Sequence, residues 1–259
     1  MAVGIIVDFL WFPIGTADFV HSFFSTICFN LEQKKWGSRF PYVMNQLPWQ
    51  ADNLKKGCIL ASIAHAIFVA QHPLFSYEQS WDGNNYSVNN GEGTRGTITF
   101  IENYCVGAFR DETNASAFKI GYSAFEKAPQ EIVKLAQNET LQYLLDNHDG
   151  EVKPVVTSVF WGAGPLFCPD EVLEALNADA HIISTQLLES DDASTAWKHY
   201  YELNNKQGSL LKNLFYKKIT APSKRIILSQ KETEAIGVKS EDGWKECKES
   251  FEELNIFFE

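Results

Sequence analysis

The chain has 259 residues, of which 45% are apolar and 14% aromatic, and its formal net charge is −11 at pH 7. This length and apolar content are enough to bury a sizeable core, which excludes a disordered chain. Because the negative charge would repel a phosphate backbone, nucleic acid is a poor partner and a basic protein is a good one.

The N-terminal quarter predicts a strand and two helices. Residues 4–12 form a β-prone run that Pro13 ends, and Thr16 suits the N-cap of a helix with apolar residues at spacings of three and four. Residues 53–71 predict a second helix, which is apolar nearly all round. That pattern indicates burial on more than one side.

Residues 81–110 predict an antiparallel β-meander, around which we expect the fold to be organised. Short β-prone runs over 86–88, 97–101 and 104–109 are separated by turn formers. Residues 91–96 match G-x-G-x-x-G, the pattern of dinucleotide-binding turns. That motif must open a helix, whereas strand formers follow here, so we interpret it as a hairpin loop.

The second half of the chain predicts mainly helices. In order, the predicted elements are a helix from Pro129 to about Asn147, a strand over 155–161, a short helix from Pro169, one or two helices over 193–218, a strand over 225–228, a capping-box helix start at Ser229 and Glu232, and a last helix over 242–254.

Together these elements predict the α+β class, with an antiparallel β-meander packed against several helices. We expect a single compact unit over residues 1–259. Two candidate sub-lobes are residues 1–150, with the N-terminal strand, helices and meander, and residues 151–259, which are mainly helical.

The composition favours a cytoplasmic protein. No run approaches the roughly 18 apolar residues of a membrane span, and the apolar start lacks the positive charge of a signal peptide. Five widely spaced cysteines, an odd number, indicate reduced thiols.

Candidate catalytic and metal-binding residues find little support. His65 and His72 share a helix face, but a metal site needs further ligands, and a satisfied core histidine and a helix-end histidine explain them. Cys168 precedes Pro169 in apolar surroundings, without a histidine or carboxylate tied to it by a motif. The sequence therefore predicts no catalytic residue, no cofactor and no metal.

Acidic clusters are the remaining candidates for function. They could steer a basic partner and pair with its Lys and Arg, or they could form a solvated surface that keeps the protein soluble. The candidate partner-binding residues are Glu92, Arg95, Asp111, Glu112, Glu189, Asp191 and Asp192.

The N-terminus resembles a known family. The resemblance lies in residues 1–4, 7–11, 18–27 and 36–47, which read MAVG, VDFLW, DFVHSFFSTI and WGSRFPYVMNQL. These segments are similar to the start of the immunity protein 70 family of bacterial polymorphic-toxin immunity proteins, and the remainder resembles uncharacterised bacterial proteins. The resemblance implies a protein that binds and neutralises a cognate secreted toxin and needs no catalytic residues.

Two other classes of function stay open. One is a small-molecule-binding protein or enzyme with a pocket between the meander and the helices, which would hold clustered titratable groups with perturbed pKa values. The other is a structural or regulatory scaffold.

Overall fold

A computed structural model describes residues 49–102, 104–148, 150–163, 166–169 and 180–259. These residues belong to one compact unit, Met44–Glu259. The predicted strand over 4–12 and the predicted helix after Thr16 lie outside the described residues. So does most of the short helix predicted from Pro169.

Seven α-helices and eleven strands occur in the described residues. The helices are α1 (Ala51–Val69), α2 (Gly121–Ala124), α3 (Gln130–Asn138), α4 (Ser190–Tyr200), α5 (Asn205–Thr220), α6 (Gln230–Ile236) and α7 (Glu241–Glu253). Short 3-10 helices lie at Pro73–Phe75, Glu112–Ala117, Thr140–Leu144 and Ala180–Ile183. The strands are β1 (Gln79–Asp82), β2 (Asn85–Asn89), β3 (Thr94–Ile101), β4 (Tyr104–Asp111), β5 (Lys119–Ile120), β6 (Leu145–His148), β7 (Glu151–Val156), β8 (Ser158–Ala163), β9 (Leu166–Pro169), β10 (Ile226–Leu228) and β11 (Ile256–Phe258).

The main sheet has six antiparallel strands in the order β1-β2-β3-β4-β8-β9. Its first four strands follow one another along the chain, so the predicted meander and the α+β class are confirmed. Tyr86 pairs with Ile98, and Ile98 pairs with Gly107. Because side chains alternate along a strand, these residues share one face of the sheet, and that face packs on α1.

The described residues also contain two smaller sheets. Strands β5, β7 and β6 form an antiparallel sheet in that order, whereas β10 and β11 pair in parallel.

Helix α1 is the centre of the hydrophobic core. Thirteen of its 19 residues are buried, and it contacts β1 of the sheet as well as helices α4, α5 and α7. The prediction of a helix buried on several sides is therefore confirmed. The neighbouring backbones approach α1 closely, because a Cβ atom on Gly57 would overlap the carbonyl oxygen of Gln186. A Cβ atom on Gly243 of α7 would likewise overlap the carbonyl oxygen of Ala70.

The helix predicted from Pro129 to about Asn147 is wrong beyond Asn138. Glu139 leaves the helical conformation, with φ −125° and ψ −84°. The next residue, Thr140, is fully buried and lies 2.7 Å, hydroxyl to hydroxyl, from Thr99 of the sheet. Tertiary contacts thus override the apolar pattern, and the rest of the segment becomes a 3-10 helix and strand β6.

The strand predicted over 155–161 is two strands of different sheets. The chain bends at Thr157, whose backbone N–H donates to the carbonyl oxygen of Phe109 at 2.8 Å. Pro169, predicted to begin a helix, instead ends strand β9 opposite Phe160.

The other predictions for the C-terminal part are confirmed. Residues 193–218 fall in two helices, α4 and α5, and β10 occupies the predicted short strand. The capping box of Ser229 and Glu232 begins α6. The last helix is α7, and the chain then adds strand β11, which the sequence did not predict.

Within the described ranges, none of the helices combines the length and the apolar character needed to cross a bilayer.

We expect the Gly57→Ala substitution to lower the free energy of unfolding by about 2–3 kcal/mol, because the added methyl group must displace the Gln186 backbone. Urea unfolding measures this value. Gly208→Ala in α5 is the matched control, because its added Cβ atom would meet only the Lys198 side chain, at 3.1 Å. That variant should be stabilised by up to about 1 kcal/mol. Equal effects of the two substitutions would contradict the close contact at Gly57.

Candidate interaction surface

Four large side chains with apolar surface lie exposed beyond the C-terminal end of α1. They are Leu74, Phe75, Tyr77 and Tyr200, which expose 86%, 41%, 49% and 62% of their surface. We call these four residues the aromatic patch. Single exposed apolar residues are normal on a protein surface, whereas a group of them marks an interaction site.

Stacked rings support the Tyr200 side of the aromatic patch. Phe68 of α1 stacks on Tyr201, with ring centroids 4.6 Å apart, and on His72 at 4.5 Å. Trp197 also stacks on Tyr201, with ring centroids 5.4 Å apart. Tyr200 meets Tyr201 edge-on at 4.8 Å. The exposed Tyr200 ring therefore rests on a packed aromatic layer that joins α1 to α4.

A buried hydrogen-bond chain continues this layer into the core. The Tyr201 hydroxyl donates to Glu78 Oε2 at 3.0 Å and accepts from Gln79 Nε2 at 2.8 Å. The Tyr86 hydroxyl donates to Gln79 Oε1 at 2.9 Å and accepts from Gln186 Nε2 at 2.8 Å. Because buried polar groups need partners, this chain fixes the position of the Glu78 carboxyl group at the edge of the core.

Two carboxyl groups lie near the exposed Tyr200 ring. Burial raises the pKa of Tyr200, and the negative charges of Glu78 and Glu92 raise it further. Burial also raises the pKa of Glu78, against the opposing effect of the Tyr201 hydrogen bond. Within the described residues, neither carboxyl group has a Lys or Arg partner. Two carboxyl groups without an ion-pair partner in the described residues therefore border the aromatic patch.

The turn between β2 and β3 brings Glu92 to this place. Asn90 Oδ1 accepts from the backbone N–H groups of Glu92 and Thr94, at 2.9 and 3.0 Å. Gly91 has a φ of +72°, and a Cβ atom there would lie 2.7 Å from the Tyr77 hydroxyl oxygen. The positive φ of the turn therefore favours glycine here. The hairpin-loop prediction is confirmed for residues 91–93, whereas residues 94–96 belong to strand β3.

His65 anchors the segment that carries the aromatic patch. It is only 1% exposed, and its Nε2 lies 3.0 Å from the carbonyl oxygen of Phe75. Burial lowers the pKa of His65 to about 4, so the ring is neutral at pH 7 and Nε2 can donate its proton to that carbonyl. His72 is exposed at the end of α1, where it stacks on Phe68.

The predicted contact residue Glu92 borders the aromatic patch, but three others form a separate cluster. Arg95 and Arg110 lie opposite each other on β3 and β4. Glu112 Oε1 lies 3.8 Å from Arg95 Nη2 and 2.8 Å from Arg110 Nε. Asp111 Oδ1 accepts from the backbone N–H of Thr113 at 2.9 Å. The Glu112 and Asp111 carboxylates thus already have partners within the chain.

The remaining predicted contacts surround the start of α4. Glu189 is its N-cap residue, and Asp191 and Asp192 lie in its first turn. Carboxylates there stabilise the helix dipole, and Asp191 also pairs with Lys212 at 3.1 Å. Tyr200 ends the same helix, so roughly 15 Å separates it from these residues. The structure does not bring them to the aromatic patch, and their contact role stays a prediction.

The described cysteines belong to the core. Cys58, Cys105 and Cys247 are free and buried. Burial raises the pKa of Cys58 and Cys105, and it raises that of Cys247 to about 12. These thiols are therefore protonated at neutral pH and are poor nucleophiles. The side chain of Cys168 lies outside the described part of the structure.

Within the described residues, no group of three or more His, Cys, Asp or Glu side chains could hold a metal ion.

Sequence reasoning did not find the aromatic patch. Leu74, Phe75 and Tyr77 follow the Pro73 break in a short segment without helix or strand periodicity, and Tyr200 appeared as one more aromatic residue of a helix. The available signal was the apolar character of a segment too short to bury its own side chains.

One comparison with known proteins gave a match. The family model of immunity protein 70 matches residues 5–62. This confirms the resemblance predicted for the N-terminus and extends it past residue 47 to the twelfth of the 19 residues of α1. No curated protein and no solved structure matches the chain.

We expect acid to destabilise the protein through His65. Its pKa in the folded protein, about 4, is below the usual 6.5, so the unfolded chain binds more protons between these values. The free energy of unfolding should therefore fall as the pH drops from 6.5 to 4. The contribution of His65 to this fall is up to about 1.4 kcal/mol per pH unit.

Urea unfolding at pH 7 and pH 5 measures this loss. Glu78 and Glu253, whose pKa values are raised by burial, act in the opposite direction, so the His65→Gln variant serves as the control. It should be less stable at pH 7 and should lose less stability on acidification. An unchanged pH dependence in that variant would contradict the assignment to His65.

Proposed function

We propose that the chain is a bacterial immunity protein that binds a cognate secreted polymorphic toxin in the cytoplasm and neutralises it by occluding it. The contact surface is acidic and contains aromatic residues, and the toxin is basic. The observation that carries the proposal is the match of residues 5–62 to the immunity protein 70 family.

The described surface supports this function independently of the family match. Tyrosine and phenylalanine are enriched at binding hot spots, because they bury much area at a low cost in conformational entropy. The aromatic patch offers such rings already packed on a buried layer. The net charge of −11 would also speed the association with a basic toxin.

The alternative, a small-molecule site between the meander and the helices, has less support. The facing surfaces of α1 and the sheet are filled by apolar side chains such as Ile63, Trp81 and Phe100. The shifted pKa values of His65 and Cys58 arise first from burial in this packed layer. A catalytic cleft would instead combine such groups with access for a substrate.

Co-expression with the toxin domain of a neighbouring gene tests the proposal, and the absence of a toxin gene beside its own would count against it. We expect the chain to restore growth and to form a stoichiometric complex with the toxin domain, because occlusion requires one inhibitor for each toxin molecule. Growth counts and size-exclusion chromatography measure the two results. Growth arrest despite a folded chain, without a complex, would contradict the proposed function. Protection by strongly substoichiometric amounts would favour an enzyme.

A further inference from the structure

We propose that the aromatic patch binds a cationic side chain of the protein partner, arginine by preference, against the rings of Tyr77 and Tyr200 and beside the carboxylate of Glu92. The partner's identity rests on the proposed function, whereas the chemistry of the site rests on the described residues alone.

The electrostatics of the aromatic patch favour a cation. The Glu78 carboxyl group accepts a hydrogen bond from Tyr201, whose ring centroid lies 4.8 Å from that of Tyr200. The negative charges of Glu78 and Glu92 also raise the pKa of Tyr200. The faces of aromatic rings carry further negative potential. Within the described residues, no Lys or Arg pairs with either carboxyl group, so a cation from outside would meet no competitor from within the described chain. This differs from Glu112, which two arginines already contact.

The geometry favours arginine over a compact ammonium group. A guanidinium group is planar, so it can lie on an aromatic ring while its edge donates to a carboxylate. Tyr77 and Tyr200 expose about half or more of their surfaces, and Glu92 lies on a turn that contacts Tyr77. The Tyr200 ring is already fixed against Tyr201, so binding costs little further ordering there.

The same charges disfavour a second copy of this chain as the occupant. A two-fold contact through the aromatic patch would bring the like-charged groups of Glu78 and Glu92 from both copies together. Two chains of net charge −11 would add to that repulsion. A basic protein partner would cause neither of these repulsions.

The first experiment probes the isolated chain with a single cation. The full chain carries 3-fluorotyrosine at its nine tyrosines, and the signals are assigned with single Tyr→Phe variants. The probe is the blocked peptide acetyl-Gly-Arg-Gly-amide, and the peptide with citrulline in place of arginine is its neutral control. We expect arginine alone to shift the fluorine signals of Tyr77 and Tyr200, saturating in the millimolar range, and to leave Tyr216 unshifted.

Matched acidic variants locate the site. Glu92 and Glu102 are both exposed turn residues, at the two ends of β3, and about 26 Å of strand separates the turns. Glu92→Gln should weaken binding of the arginine peptide roughly threefold or more, whereas Glu102→Gln should not change it. Equal shifts from both peptides, or an equal loss in both variants, would overturn the inference.

The second experiment uses the toxin domain that the co-expression test identifies. Tyr200→Ala should weaken its binding about tenfold or more, and Glu92→Lys should weaken it further. The controls are Tyr216→Ala, which removes a tyrosine of similar exposure on α5, and Glu102→Lys. Both controls should bind as the unsubstituted chain does.

These two experiments separate the inference from the proposed function. If the toxin domain is bound and neutralised equally by all four variants, the proposed function stands and the inference is wrong. If the arginine peptide binds at the aromatic patch but no toxin domain is captured, the chemistry of the site stands and the proposed function is wrong. If a second copy of the chain, or residues 1–48 of this chain, covers the Tyr77 and Tyr200 rings and changes their fluorine signals, the inference is also wrong.

Discussion

The burial of helix α1 is the constraint on which the described structure depends. The helix is apolar nearly all round, so the sheet must cover one side and helices α4, α5 and α7 the others. Gly57 and Gly243 allow backbones to meet at distances that a methyl group would block. Because α1 ends at Val69, the aromatic residues just after it emerge at the surface, beside the end of α4.

This arrangement contains two features that do not favour folding stability. The aromatic patch leaves rings and an aliphatic side chain in water, and Glu78 keeps a buried carboxyl group whose described hydrogen-bond partner is Tyr201. Both features cost stability in the isolated chain. A partner that covers the rings and brings a cation would recover part of that lost stability. The features that destabilise the isolated chain would therefore favour binding.

The sequence predicted elements whose own residues determine them. The apolar period of α1, the turn formers between β2 and β4, and the capping box at Ser229 all correspond to the structure. The failures lie where distant contacts decide the conformation. Thr140 leaves its helix to meet Thr99, and Thr157 bends the chain toward Phe109. The aromatic patch was missed for the same reason, since Tyr77 and Tyr200 are more than a hundred residues apart in the sequence. Only folding brings Tyr201, next to Tyr200, to hydrogen-bond with Glu78, next to Tyr77.

Hydroxyl-radical footprinting of the chain, alone and bound to its toxin domain, tests the central claim most directly. Tyr77, Tyr200 and Phe75 are exposed in the described structure and should react in the free chain. We predict that the complex protects these three residues, while Tyr122 and Tyr216, of similar exposure elsewhere on the surface, stay reactive. A complex that neutralises the toxin but leaves the aromatic patch as reactive as in the free chain would contradict the claim.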